Sequence, residues 1–245
     1  MLLRSLFILW LLLAGPVLML IFGNLNLEGD WSNTNRRSAN IAPSPETPEA
    51  IIQLYSARNW NWRGAFFVHT WFASKRSQQK FYNVYQVVGW HSAGNNSMLK
   101  IEKDIPDRYW FGQRPQLIKE IRGGKEVDQL IDKLETAVAK YPYPNTYRSW
   151  PGPNDNTFTA YVARYLPELR IELPPTAIGK DFLPKNEIVA ISPSGTGVQL
   201  SLYGIAGVMI GWEEGIELNI LTLDVGVDLL GLAIKLPGIG RVGWT

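Results

Sequence analysis

No cysteine occurs among the 245 residues. Disulfides, thiolate nucleophiles and cysteine-ligated zinc are thereby excluded. The two histidines, His69 and His91, are too few for a three-histidine metal site, and no metal or cofactor is expected. Charge of either sign is in short supply. Lys and Arg number 24 against 22 Asp and Glu, and no long basic run occurs. The chain thus lacks the electrostatic footprint of a nucleic-acid binder. The Gly-containing stretch SPSGTG at 192–197 has neither the lysine nor the following helix of a phosphate loop. There is no internal repeat. What is abundant is aromatic: ten Trp and ten Tyr point to aromatic packing or an aromatic-lined groove.

The first apolar run is also the longest without charge. From Leu6 to Phe22 it follows Arg4 directly and is long enough to cross a bilayer as one helix. A cleaved signal peptide is the rival. Its apolar region would be shorter and would end in small residues, whereas here Gly-Asn-Leu-Asn-Leu follows. The expectation is an uncleaved single-pass anchor over 1–23 in the inner membrane, Arg4 inside and the remainder facing the periplasm. The Asn-, Ser- and Pro-containing stretch 24–46 reads as a tether. The rest, 47–245, reads as one extracytoplasmic α+β domain whose part 187–245 is β-rich.

Within that domain Thr47-Pro48-Glu49 has the signals of a helix start, with Ile51, Leu54 and Tyr55 turned to a core. Two aromatic, β-branched runs, 65–75 and 81–90, flank a polar turn and predict an antiparallel hairpin. On its first strand His69, Trp71, Ala73 and Lys75 share a face. A short third strand is expected over 98–102. The clearest helix spans 125–140, with Val127, Leu130, Ile131, Leu134 and Val138 at helical spacing. A second follows at 158–166. After the Pro-rich stretch 169–181, long apolar runs broken by glycine and by Glu213-Glu214-Gly215 predict a β-meander of three or four strands. The fold class is therefore α+β: an antiparallel sheet with flanking helices and a C-terminal meander, behind one transmembrane helix.

The densest run of special residues is Trp150-Pro-Gly-Pro-Asn-Asp-Asn-Thr-Phe158. Prolines and glycine fix a bend, and the polar residues meet the free N–H groups of a helix start. Asp155 or Asn156 reads first as the helix N-cap, and His69 as a packed strand histidine. The sharper alternative makes His69, Asp155 and Asn156 catalytic, with water as nucleophile. Asn154, Trp71, Trp110 and Trp150 are candidates for binding a ligand. His91, beside a turn, is expected to be exposed. Glu213 and Glu214 read as solvated turn charges; Asp224 and Asp228 fit either a cation site or a solvent face.

The set VHTW at 68–71, VVGW at 87–90, DRYWFG at 107–112, WPGPNDNTF at 150–158 and LPPTAIGKD at 173–181 resembles the bacterial domain-of-unknown-function family 3750 (DUF3750), from about Asp30 to the C terminus. That resemblance implies no activity and agrees with an N-terminal membrane segment. The layout of His69 on an early strand and Asn154-Asp155-Asn156-Thr157-Phe158 opening a later helix is also similar to circularly permuted NlpC/P60 amidases. In those proteins a cysteine follows the asparagine; here Asp155 stands in its place. A carboxylate at a helix mouth is a poor acyl-transfer nucleophile, which implies a lost or altered activity. Three readings follow: a non-catalytic binder of a cell-wall or envelope component, a hydrolase-like domain working through His69 and Asp155, or an accessory of a membrane complex touching its partners through the anchor and the C-terminal strands.

Overall fold

The computed structural model describes residues 2–27, 32, 34–90, 97–184 and 187–243, with 2–6 and Ile8 described by backbone alone. His91 and the polar turn that follows it lie outside the described residues. The architecture is α+β, with two antiparallel sheets and, among the described residues, three α-helices. The first, α1 (Leu2–Phe22), contains Pro16. Among the described residues no helix is long and apolar enough to cross a membrane.

The first sheet contains β1 (Ala50–Arg58), β2 (Val68–Lys75), β3 (Asn83–Val87), β4 (Leu99–Lys103) and β5 (Gln116–Gly123), in the order β4-β3-β2-β1-β5. The predicted hairpin is β2–β3 and the short third strand is β4. The helix expected after Thr47 is instead β1, the strand between β2 and β5. Its first eight residues are all buried. With both faces covered it shows no polar alternation, and Ile51, Leu54 and Tyr55 mimic helical spacing by chance.

Two layers cover this sheet. On one face lie α2 (Lys125–Ala139) and α3 (Asp155–Tyr165). Ile131, Leu134 and Phe158 pack there with Ile52, Leu54 and Phe72. On the other face Tyr55, Trp71, Val84 and Trp110 form a second cluster. The distal part of the expected tether is held down against that face. The Asp107 carboxylate accepts from the Ser38 hydroxyl and from the N–H groups of Ile41 and Ala42.

The C-terminal meander has seven strands rather than three or four: β6 (Val189–Ile191), β7 (Gly197–Leu202), β8 (Ala206–Gly211), β9 (Gly215–Ile220), β10 (Leu223–Asp228), β11 (Ala233–Leu236) and β12 (Gly240–Gly243), each paired with the next. Each apolar run contains a tight turn that composition alone hides. The face turned toward the domain is polar. Gln199, Glu217, Asp224 and Lys235 are all buried on it. Lys180, from the loop before the sheet, reaches Glu217 and lies 3.2 Å from Asp224, while Lys235 lies 2.5 Å from Glu217.

This network revises the reading of the acidic residues as solvated. Glu214 is buried and accepts from the Ser194 N–H and hydroxyl. Asp228 binds the N–H groups of its own turn and the Arg241 guanidinium. Burial alone would discharge Lys180, but Asp181, Asp224 and Glu217 outweigh it and hold its ammonium well above the usual lysine range. Burial likewise opposes ionisation of Glu217, and the two lysines overcome it, leaving that carboxyl below its ordinary value.

Candidate functional site

The pairing of β2 with β3 covers only Phe72–Ser74, so the opening residues of β2 have no ladder on that side. Backbone groups there need other partners. The mouth of α3 supplies them. The Thr70 N–H donates to Asp155 Oδ2 at 3.3 Å, and the Val68 carbonyl accepts from Asn156 Nδ2 at 3.0 Å. The Thr70 hydroxyl donates to Asn156 Oδ1 at 2.8 Å. A helix end is thus plugged into the gap between two strands.

The local sequence explains how α3 arrives in this register. Pro151 and Pro153 both follow cis peptide bonds. Asn154 then adopts extended geometry and accepts from the Thr157 N–H, while the Asn154 N–H donates to the Thr157 hydroxyl. This is a capping box, and Asn154 is the N-cap. The cap was expected at Asp155 or Asn156. Because Asn154 performs it, the next two side chains are released to reach β2.

One of them makes the central contact. His69 Nδ1 lies 2.9 Å from Asp155 Oδ2, and His69 Nε2 lies 3.1 Å from Gln86 Oε1 on β3. Both ring nitrogens face oxygen acceptors. The ring is thus held between a carboxylate on one side and an amide on the other. The Trp110 ring lies flat on His69, with centroids 3.7 Å apart and planes at 8°. Asp155 is fully engaged as well. Its Oδ1 accepts from the Tyr147 hydroxyl at 3.2 Å. Burial and then the Asp155 charge push the Tyr147 hydroxyl far above its ordinary pKa, so it stays a donor.

In front of His69 opens a cavity of about 650 Å³. Trp60, Phe67, Trp90, Trp110, Phe111 and Tyr147 form its aromatic walls. Its polar lining is Asn59, Ser149, Arg36 and Arg63, and among the described residues no carboxylate lines it. The indole N–H groups of Trp60 and Trp110 are fully buried without an acceptor, so a molecule in the cavity meets the faces of these rings and not their N–H groups. The lining is therefore aromatic and carries guanidinium charge with no carboxylate among the described residues.

Of the residues singled out in the sequence, His69, Asp155 and Asn156 come together, and Trp110 joins them as a wall. Trp71 lies beneath His69 in the core, its N–H donating to the Pro106 carbonyl. Trp150 is half exposed away from the cavity and donates to the Thr222 hydroxyl. Asn154 is committed to the cap and to the Ile178 carbonyl. Gln86, Trp60, Arg36 and Arg63 carried no signal in the sequence. A lone strand glutamine has none, and the others meet only through tertiary folding. Among the described residues no group of acidic or histidine side chains is arranged to hold a metal ion.

The family model described as "Protein of unknown function (DUF3750)" matches residues 49–182. No curated protein and no solved structure matches. The matched stretch contains His69, Gln86, Trp110 and Asp155 and ends before β6. It is narrower than the span from about Asp30 to the C terminus over which the motifs were read.

Proposed function

The chain belongs to the DUF3750 family, and from the site within the matched stretch we propose a function of binding rather than chemistry. The cavity receives an anionic envelope component with an apolar body, its acidic group meeting Arg36 and Arg63 and its body lying between the aromatic walls. The observation that carries this is the lining itself: aromatic faces, two guanidinium groups and no carboxylate among the described residues. The run from Leu6 to Phe22, with Arg4 before it, supports an α1 that anchors the chain in the inner membrane with the domain on the periplasmic side.

The test is calorimetric titration of the detergent-solubilised full chain with naphthalene-2-sulfonate and with its neutral sulfonamide. The sulfonate binds and the sulfonamide binds much more weakly. Arg63→Glu removes the difference. Equal binding of both, or of neither, overturns the reading.

The contact of His69 with Asp155 and Gln86 favours a second reading, hydrolysis through an activated water. Against it, both ring nitrogens of His69 already face protein partners and the Asp155 carboxylate is buried, so neither group is turned to an open position from which it would take a proton from water. Cleavage of purified cell-wall peptides by the wild-type chain, lost in His69→Ala, would establish hydrolysis and displace the binding reading.

A further inference from the structure

The seven-stranded sheet is inverted. A half-exposed antiparallel sheet ordinarily turns its apolar face inward and its polar face to water. Here the buried face carries Glu217, Asp224 and Lys235, and the outward face is aliphatic. The register makes the outward face continuous. Ile191, Val198, Ile210, Ile216, Val227, Ile234 and Val242 stand opposite one another in sequence across all seven strands. Each is 38–59% exposed. At roughly 4.8 Å per strand this row alone is about 29 Å long. A second row, Leu200, Val208, Leu218 and Val225, runs beside it. A soluble monomer does not tolerate a contiguous apolar surface of this extent, and such patches mark contact sites.

We propose that this face lies against the hydrocarbon surface of a lipid bilayer. Three features select lipid over a second copy of the chain. The apolar surface does not stop at the flat of the sheet but wraps onto its turns, where Leu221, Leu229, Leu230 and Leu232 are 58–72% exposed. A second flat sheet would cover the face and leave these leucines in water, whereas lipid covers both. Trp212 and Tyr203, on other turns, are about as exposed and have the apolar body and polar tip of headgroup-level residues. The surface also adjoins α1, whose Gly15 and Pro16 sit against Pro237 and Gly238 in the turn between β11 and β12. The strands, at most six residues long, are too short to cross a bilayer, so the sheet rests on it or dips into it. None of this depends on what fills the aromatic cavity.

The absence of cysteine makes the test clean. Leu218→Cys and Ile234→Cys on the face, and Glu102→Cys on β4 as control, are each nitroxide-labelled. The full-length chain is then reconstituted in phosphatidylethanolamine–phosphatidylglycerol vesicles. Collision with oxygen exceeds collision with a water-soluble nickel chelate at 218 and 234, and the order reverses at 102. Chelate accessibility at 218 and 234 matching that at 102 places the face in water and overturns the proposal. Low accessibility to both probes with spin–spin broadening places it against another copy and overturns it equally.

Discussion

His69 and Trp110 lie face to face, centroids 3.7 Å apart and planes at 8°, so the ring that pairs with Asp155 is also part of the cavity wall. A stacked ring pair gains about 0.5–1.5 kcal/mol beyond the area it buries. Truncating a buried tryptophan costs more, about 3–5 kcal/mol. Trp110→Ala is expected to lose stability on the larger scale, and Trp110→Phe, which keeps a ring on His69, about a third of it. Denaturant titration of the two variants checks the ratio. Equal losses would mean that a phenyl ring recovers nothing and that the site requires the indole itself.

Asp155 satisfies three donors: His69, Tyr147 and the Thr70 N–H. Removing a buried acceptor leaves its donors unsatisfied, at about 1–3 kcal/mol for each group. Asp155→Ala should lose stability on that scale. Asp155→Asn keeps an acceptor for two of the donors and should cost markedly less. A thermal melt of the solubilised chain ranks them, and an Asn variant as damaged as the Ala variant would show that the charge, not the hydrogen bonds, is what the site requires.

A thiol placed at the same position tests the electrostatics directly. Asp155 is the first residue of α3, and its side chain meets an imidazole. Both features stabilise an anion, and both lower a thiol pKa from its usual value of about 8.5. In Asp155→Cys the chain has a single thiol, and its thiolate absorbance near 240 nm should persist well below that value. Adding His69→Ala should return the titration toward 8.5. A single variant that titrates like free cysteine would mean that the helix mouth and His69 do not act on this position.

The buried charges beneath the C-terminal sheet set a pH dependence. Glu217 has a folded pKa below its ordinary 4.5, because Lys180 and Lys235 outweigh burial. A carboxyl depressed in the folded state contributes stability that is complete above the unfolded value and is lost as pH falls through the folded one. Lys180 is raised above 10.5, so its contribution is complete below that value and is lost as pH rises through its folded pKa. The wild-type chain should therefore lose stability at both extremes. Glu217→Gln should lower the melting temperature at pH 7 and flatten the decline below pH 4.5. A variant whose acid limb parallels the wild type would assign that limb to other carboxylates.

Periodicity revealed α2 because it has one buried and one exposed side, whereas the β2–β3 hairpin showed through aromatic and β-branched runs flanking a polar turn, although β2 is buried on both faces. Periodicity failed at β1, where residues of both parities are buried, and it undercounted the C-terminal strands, whose turns interrupt runs apolar on their outer face. The His69–Asp155 pairing was legible because a helix mouth rich in short polar residues is a place to look. Gln86 was not, since a strand glutamine is ordinary until a histidine stands beside it. The cavity was only half legible. Its aromatic content shows in composition, but Trp60, Trp90 and Trp110 come from separate loops. The polarity of the last sheet was hidden for another reason: the lysine that neutralises Glu217 and Asp224 lies in the loop before the sheet, at Lys180.

The contact between α1 and the β11–β12 turn rests on two glycines. A Cβ on Gly15 would collide with the Pro237 carbonyl oxygen. Gly238 has φ +71°, in the left-handed region, and a Cβ there would press on Pro16 and the Ala65 carbonyl. Arg58 fixes the same turn to β1 by donating to the carbonyls of Gly238 and Ile239. The helix is thereby joined to the rim of the sheet and through Arg58 to the first sheet, so its direction is coupled to the domain. Gly15→Val should separate helix from turn without touching either sheet's core. A bifunctional crosslink between cysteines at Leu12 and Ile239 should form readily in the otherwise wild-type chain and fall severalfold with Gly15→Val, while the melting temperature of the domain changes little. An undiminished crosslink would mean that the helix is held by contacts other than this close approach.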